Sequence, residues 1–274
     1  MPYLQNIHTH SIYCDGKNTP RELVLEACRL GMTGIGLSTH TKCFYSNYPL
    51  PPNGVAEGHA EIERLKREFK GQIEIFNGIE YDMYCGTDTA PFDFVIGAVH
   101  YLKMGDGYFG IDVDRATMKT IINERFGGDG VALAEEYYRQ IATMPQHVAA
   151  DVVAHFDIIA KHCEGEPLFD MTSKRYLDAA LEAVHALVPK IPIFEVSTGA
   201  ITRGYRTAPY PTLPILKEIR AAGGGVIISS DCHDLRYLTN AFDVALDVIE
   251  AAGFSEVQIL TDTGFAPVPI LRCK

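Results

Sequence analysis

GIGLSTH, residues 34–40, is an apolar run of strand length that ends in a histidine. It lies between two amphipathic stretches. Upstream, TPRELVLEACRLG (19–31) has a threonine cap, a proline in the first turn, an apolar stripe and a closing glycine. Downstream, GHAEIERLKREFKG (58–71) reads as a charged amphipathic helix that also ends in glycine. Next come QIEIFNGIE (72–80) and FDFVIGAVH (92–100), apolar runs that end in an acid and a histidine. YLQNIH (3–8), DVVAHF (151–156), IPIFEVST (191–198) and GVIISSDCH (225–233) repeat the strand pattern. SKRYLDAALEAVHALV (173–188), TLPILKEIRAAG (212–223) and YLTNAFDVALDVIEAAG (237–253) repeat the helical one. Such alternation predicts an α/β fold with a mainly parallel sheet covered by helices.

The 274 residues, 47% hydrophobic and 22% charged, suit one α/β barrel, so one domain over 1–274 is expected. The rhythm changes between Leu102 and Met144. Residues 103–146 read as a Gly/Asp loop and two helices, an insertion over one face, too weakly apolar for a core of its own.

A net charge of −11 argues against a broad nucleic-acid face. It leaves room for a small anionic substrate, because bound divalent cations reverse the local field. The seven cysteines are odd in number and form no CxxC, which argues against a disulfide framework and for reduced thiols. Cys14 and Cys232 read as small packing residues. The opening MPYLQNIHTH lacks a basic start and a long apolar core, and no run of about 18 apolar residues follows. The expectation is a cytoplasmic enzyme or binding protein with no membrane partner; oligomeric state stays open.

The decisive pattern is where the ligand-type side chains fall. His8 and His10 close the first strand, His40 the second, Glu80 the third, His100 the fourth and His155 the fifth; Asp231 and His233 end GVIISSDCH. In a βα barrel all these ends meet on one face. Residues i and i+2 share a strand face, which pairs His8 with His10 and Asp231 with His233. His59, His147, His162 and His185 fall elsewhere and read as surface or packing residues. With Asp15, nine candidates stand together, too many for one ion. Two or three ions with a bridging carboxylate fit them, and imidazole with carboxylate suits zinc, manganese or iron. Asp15 itself, in YCDGKNTP, reads either as a ligand or as a turn residue.

Taken in order, HTH, GLSTH, the Glu and His that follow, HFD and SSDCH resemble the PHP (polymerase and histidinol phosphatase) family. The resemblance spans nearly the whole chain. It implies a distorted TIM-like (βα)7 barrel with a trinuclear metal site. HFDIIAKH, FEVSTGAITRGYRTAPYP, SSDCH and the insertion ending EYYRQIATM are most similar to the histidinol-phosphate phosphatases of that family. By the family pattern, one metal takes His8, His10, Glu80 and Asp231. A second shares Glu80 and adds His100 and His155. A third takes Asp15, His40 and His233; some relatives carry histidine at the Asp15 position.

The implied reaction is hydrolysis of L-histidinol phosphate, in histidine biosynthesis, by metal-activated water or hydroxide. Arg203 sits where the phosphatase pattern places a basic residue and is expected to clamp phosphate. Arg206 is either a second clamp or a solvated loop charge, and Lys161 either a substrate contact or an exposed lysine. Ser197 and Thr198 either donate to substrate or cap their loop. His233 or Asp15 could assist protonation of the leaving group. The substrate's cationic groups need acceptors, for which the acidic insertion is the natural source. The alternatives are a PHP phosphoesterase for nucleotides, sugar phosphates or phosphotyrosine, a proofreading module, and a metal-binding regulatory protein without turnover.

Overall fold

A computed structural model describes residues 4–45 and 50–270. Tyr3, where the expected first strand begins, and Cys273 lie outside the described residues. The chain runs β1 (Gln5–Asn6), α1 (Pro20–Arg29), β2 (Gly34–His40), α2 (Gly54–Glu68), β3 (Glu74–Asp82) and β4 (Phe94–Ala98). It continues with β5 (Tyr101–Met104), β6 (Gly107–Gly110), α3 (Arg115–Phe126), α4 (Gly130–Ile141), β7 (Val152–Val153) and α5 (Lys174–Leu187). β8 (Ile193–Ser197), a single turn α6 (Gly199–Thr202), α7 (Leu213–Ala221), β9 (Gly225–Ser229) and α8 (Phe242–Ala251) follow. A hairpin of β10 (Glu256–Thr261) and β11 (Gly264–Pro269) completes it.

The expected start signals act locally. Thr19 accepts from the Glu22 amide while Glu22 reaches back to the Thr19 amide, a capping box that fixes where α1 begins. Pro20 occupies the first turn, where its missing N–H costs nothing.

Seven strands form one parallel sheet in the order β1-β2-β3-β4-β7-β8-β9. A parallel bridge between Thr9 and Cys232 joins its two edges. The His10 amide donates to the Cys232 carbonyl at 2.7 Å, and the Cys232 amide to the His8 carbonyl at 3.1 Å. The sheet thus closes into the distorted seven-stranded barrel. The bonds that close it are made by the backbone of HTH and DCH, the segments that also carry His8, His10, Asp231 and His233.

Side chains alternate along a strand, and this sorts the barrel interior. Phe76, Ile96, Ile193 and Ile227 fill its lower part with Phe94 and Ile7. Glu80, His100, Glu195 and Asp231 follow in the same registers, nearer the carboxyl ends. Packing below is tight: a Cβ on Gly78 would enter the Phe94 ring. The terminal hairpin plugs the amino end. Gln5 exchanges two hydrogen bonds with the Leu260 backbone, at 2.9 and 2.7 Å, and Leu260 joins the interior cluster.

Two expectations need correction. The segment read as a Gly/Asp loop is a hairpin, because Lys103 and Tyr108 pair across the turn at Gly105, which takes the left-handed φ of 61°. The thiols are not all reduced: Cys43, after β2, and Cys85, after β3, form a disulfide. Parallel pairing of β2 and β3 brings the two following loops together, which a cysteine count does not reveal. Cys14, Cys28, Cys163 and Cys232 are free. The insertion's α4 buries Leu133, Tyr137, Tyr138 and Ile141 in the large cluster that also holds Tyr176 and Val184 of α5. No described helix is long and apolar enough to cross a membrane.

Candidate metal centre

The strand ends bring the predicted ligands to one place. Glu80 is 1% exposed and lies at its middle. Its Oε2 is 3.3 Å from His8 Nε2, 3.5 Å from His10 Nε2 and 2.8 Å from His40 Nδ1. Its Oε1 is 3.0 Å from His155 Nε2 and 3.4 Å from His100 Nε2. Asp231 Oδ1 approaches His10 Nε2 to 3.2 Å and His8 Nε2 to 3.6 Å. Asp15 lies 3.3 Å from His233 Nε2 and 3.5 Å from His40 Nε2.

Three groups could each hold a cation: His8, His10 and Asp231; Glu80, His100 and His155; and His10, Asp15, His40 and His233. Within each, the ligand atoms lie within 4.8 Å of one another. His10 stands in two groups, where the family pattern gave it one. Its ring stacks against those of His40 and His233, at centroid distances of 4.3 and 4.2 Å. Asp15 lies in a turn, and that turn brings its carboxylate to the cluster. Its turn needs Gly16, since a Cβ there would collide with the His10 backbone.

The fit to divalent metal rests on atoms left without partners. Among the described residues, His8 Nε2, His10 Nε2 and Glu80 Oε2 are buried and make no hydrogen bond. Buried polar atoms are rarely orphaned, and here the two ring nitrogens lie 3.3 and 3.5 Å from the orphaned Glu80 oxygen. A cation bound among them satisfies all three.

Two carboxylates that sequence reasoning missed hold the imidazoles in place. Glu195, 1% exposed, sits mid-strand in β8. Its Oε1 accepts from His8 Nδ1 at 2.5 Å and from the Ser229 hydroxyl; its Oε2 accepts from the His155 amide at 2.6 Å. A carboxylate only accepts, so His8 carries a proton on Nδ1, which leaves Nε2 to face the cluster and to serve as the ligand atom once its own proton is displaced. Asp82 treats His100 likewise, accepting from its Nδ1 at 3.1 Å and its amide at 3.2 Å, and is itself held by the Tyr45 hydroxyl at 2.6 Å. The available signal was an acid at an inward position of an apolar strand, Glu195 two before Ser197 and Asp82 two after Glu80.

The electrostatics agree. Burial drives the His8 pKa down, but Glu195, Glu80 and Asp231 more than reverse this and raise it well above the ordinary value. His40 is raised in the same way, against burial, by Glu80 and Asp15. Glu80 is held well below its usual range, against burial, by His40, His8 and His100. His10 falls to about 3 through burial and the neighbouring His233 and His40. In the metal-free protein, protons on His8 and His40 therefore balance the buried carboxylates. A divalent cation must displace them, so binding releases protons and affinity rises with pH. We expect metal retention to fall about tenfold per pH unit for each proton displaced as pH drops below neutrality. Dialysis at fixed pH followed by elemental analysis checks this; retention independent of pH between 5 and 8 would contradict it.

Above the cluster lies a cavity of about 390 Å³ whose lining includes Asp15, His40, Glu80, His100, Asp231 and His233, with Lys17, Asp112, Lys161 and Arg203. Arg203 is fixed by Asp231, Nη2 to the carboxylate at 2.5 Å and Nη1 to the carbonyl at 3.1 Å. Lys161 Nζ pairs with Asp112 at 2.5 Å. Arg206 is neither a solvated charge nor a part of this lining. It is 5% exposed, stacked 4.8 Å from the Tyr210 ring, with Nη1 3.7 Å from the buried Asp157. Asp157, the acid of HFD, also accepts from the Thr212 amide at 2.9 Å and so ties the loop after β7 to the one after β8. Arg206→Ala strands that buried carboxylate, and a loss of about 3–5 kcal/mol in unfolding free energy is expected by chemical denaturation. A loss below about 1 kcal/mol would contradict this pairing.

The remaining predicted residues lie off the cavity. Ser197 pairs with Tyr210, and the Thr198 hydroxyl donates to the Asn240 carbonyl at 2.8 Å, so both close the loop. None of His59, His147, His162 and His185 joins the cluster; His162 contacts the Val113 carbonyl at 2.7 Å, and His185 pairs with Glu218. Cys14 and Cys232 are buried, and burial pushes the Cys232 thiol up to about 12.

A family model for the PHP domain matches residues 6–198. The chain belongs to the PHP family. The match runs from the last residue of β1 through β8, while Asp231 and His233 lie beyond it and follow β9. Over 254 residues the chain is 24% identical to a probable histidinol-phosphatase of Deinococcus radiodurans, covering 85% of this chain and 87% of that one. It is also 24% identical to the histidinol-phosphatase of Bacillus subtilis over 266 residues, 86% of this chain and 96% of the relative. In fold, this PHP chain is similar to the histidinol phosphate phosphatase of Lactococcus lactis, solved in complex with zinc, L-histidinol and phosphate. The TM-score is 0.76 at 22% identity, over 96% of this chain and 98% of that one.

Proposed function

We propose that this PHP chain is a metal-dependent phosphomonoesterase that hydrolyses L-histidinol phosphate to L-histidinol and phosphate. The observation that carries the metal dependence is Glu80, whose two oxygens face different sets of imidazoles at the base of a cavity also lined by Arg203 and Lys161. The named relatives support the substrate.

His8, His10, Glu80, Asp231, His100 and His155 would hold two ions, and Asp15, His40 and His233 a third; zinc, manganese and iron all suit such donors. Bound divalent cations activate water and neutralise charge that develops on the phosphoryl oxygens. Arg203 is the proposed phosphate clamp: its guanidinium is held against burial as a cation by Asp231, and the residue lines the cavity. Lys161 supplies a second, more mobile positive charge. Water adds to phosphorus, the ester P–O bond breaks, and the leaving alkoxide needs a proton. With two ions bound, His233 would donate it. The ring lies at the cavity wall, steadied by Asp15 and by the Asp231 carbonyl at 3.0 Å. With three ions bound, His233 and Asp15 serve as ligands instead.

Phosphate release from a panel of phosphomonoesters tests the substrate. A kcat/KM for L-histidinol phosphate at least about tenfold above those for nucleotides, sugar phosphates and phosphotyrosine is expected. Preference for another ester would keep the metal chemistry and discard this substrate.

A further inference from the structure

The cations that line the cavity each have a carboxylate partner: Arg203 with Asp231, Lys17 with Asp234, and Lys161 with Asp112. These pairs differ in what could loosen them. Asp231 is a candidate ligand, and two bonds hold Arg203 to it. Asp234 is gripped by Arg236 at 2.9 and 2.6 Å as well as by Lys17 at 3.3 Å. Lys161 and Asp112 make one contact with each other and belong to none of the three ligand groups. Lys161 follows the strand that delivers His155, while Asp112 comes from the insertion, between β6 and α3. The two charges meet across the cavity wall.

We infer that Asp112 and Lys161 form an exchangeable ion pair that selects phosphomonoesters carrying an ammonium group. The inference rests on the reading of the cavity as a phosphomonoester site. A phosphate attracts Lys161, whose ammonium sits on a flexible stem and rests against Asp112 and, at 4.4 Å, the Tyr205 ring. Asp112 is then left in a half-enclosed cavity without its cation, which is unfavourable. An ammonium on the substrate replaces Lys161 there, so both charges of a zwitterionic ester are matched. An ester without the amine leaves Asp112 unpaired. Neither Asp231 nor Asp234 can take this role, because each already holds a guanidinium. The selectivity therefore comes from the insertion rather than from the barrel strands.

Calorimetric titration of L-histidinol and its desamino analogue, each with inorganic phosphate present, decides this without turnover. The wild-type, metal-loaded protein should bind the amine at least about tenfold more tightly, as expected for a charge-assisted contact. In Asp112→Asn, which keeps the side-chain volume, that preference should collapse to about twofold or less. Equal affinities in the wild type, or a preference retained in Asp112→Asn, would overturn the inference. Phosphate release from histidinol phosphate by the wild type tests the enzyme reading separately. A failure of turnover with the amine preference intact would count against that reading alone.

Discussion

Glu80→Gln removes phosphatase turnover by at least about 10³-fold, beyond the 10–100-fold that losing a supporting partner of a metal ligand usually costs. The glutamine has nearly the same shape, so the difference is one of charge and donor atoms. Glu80 faces five imidazoles, three through one oxygen and two through the other. An amide offers one oxygen and no charge, and its nitrogen cannot ligate. One side of the shared carboxylate is lost whichever way the amide turns. Elemental analysis should show at least one ion fewer per chain, with an unchanged far-ultraviolet circular dichroism spectrum. A Glu80→Gln protein with full metal content and turnover within tenfold of wild type would refute the placement of this residue.

Glu195→Gln weakens metal binding by about 10–100-fold although Glu195 is not itself placed as a ligand. All three groups that meet its carboxylate are donors: the His8 ring, the Ser229 hydroxyl and the His155 amide. Glutamine must turn its NH₂ toward one of them. Either the His8 tautomer loses its support or the His155 backbone faces a second donor. Both outcomes misdirect an imidazole at the cluster. Excess metal should restore much of the lost kcat, which a general packing defect would not permit. An unchanged metal dissociation constant would show that Glu195 merely fills space.

That the ligand-type side chains at the strand ends form one cluster was legible because βα alternation fixes where they go. A histidine or acid closing an apolar run in a parallel barrel reaches the carboxyl face whatever the distant sequence does. Glu195 was not read because it lies within β8 rather than at its end, and Asp82 because Glu80, two residues earlier, already served as the acid that closes β3; inward parity alone does not say which imidazole waits opposite. Arg206 misled for a related reason. Its loop, TRGYRTAP, looks solvated, and burial of the guanidinium depends on Asp157, 49 positions away. The Cys43–Cys85 bond also depends on register, not on composition. The hairpin at 101–110 was hidden by turn residues that suit a loop equally well.

The central claim is that the strand-end cluster holds catalytic metal. Its most direct test is inorganic phosphate released from L-histidinol phosphate by the purified protein, measured after exhaustive chelation and again after reloading with zinc, manganese or iron. Chelation should abolish release, and two to three ions per chain should restore it. Undiminished release from metal-free protein would contradict it.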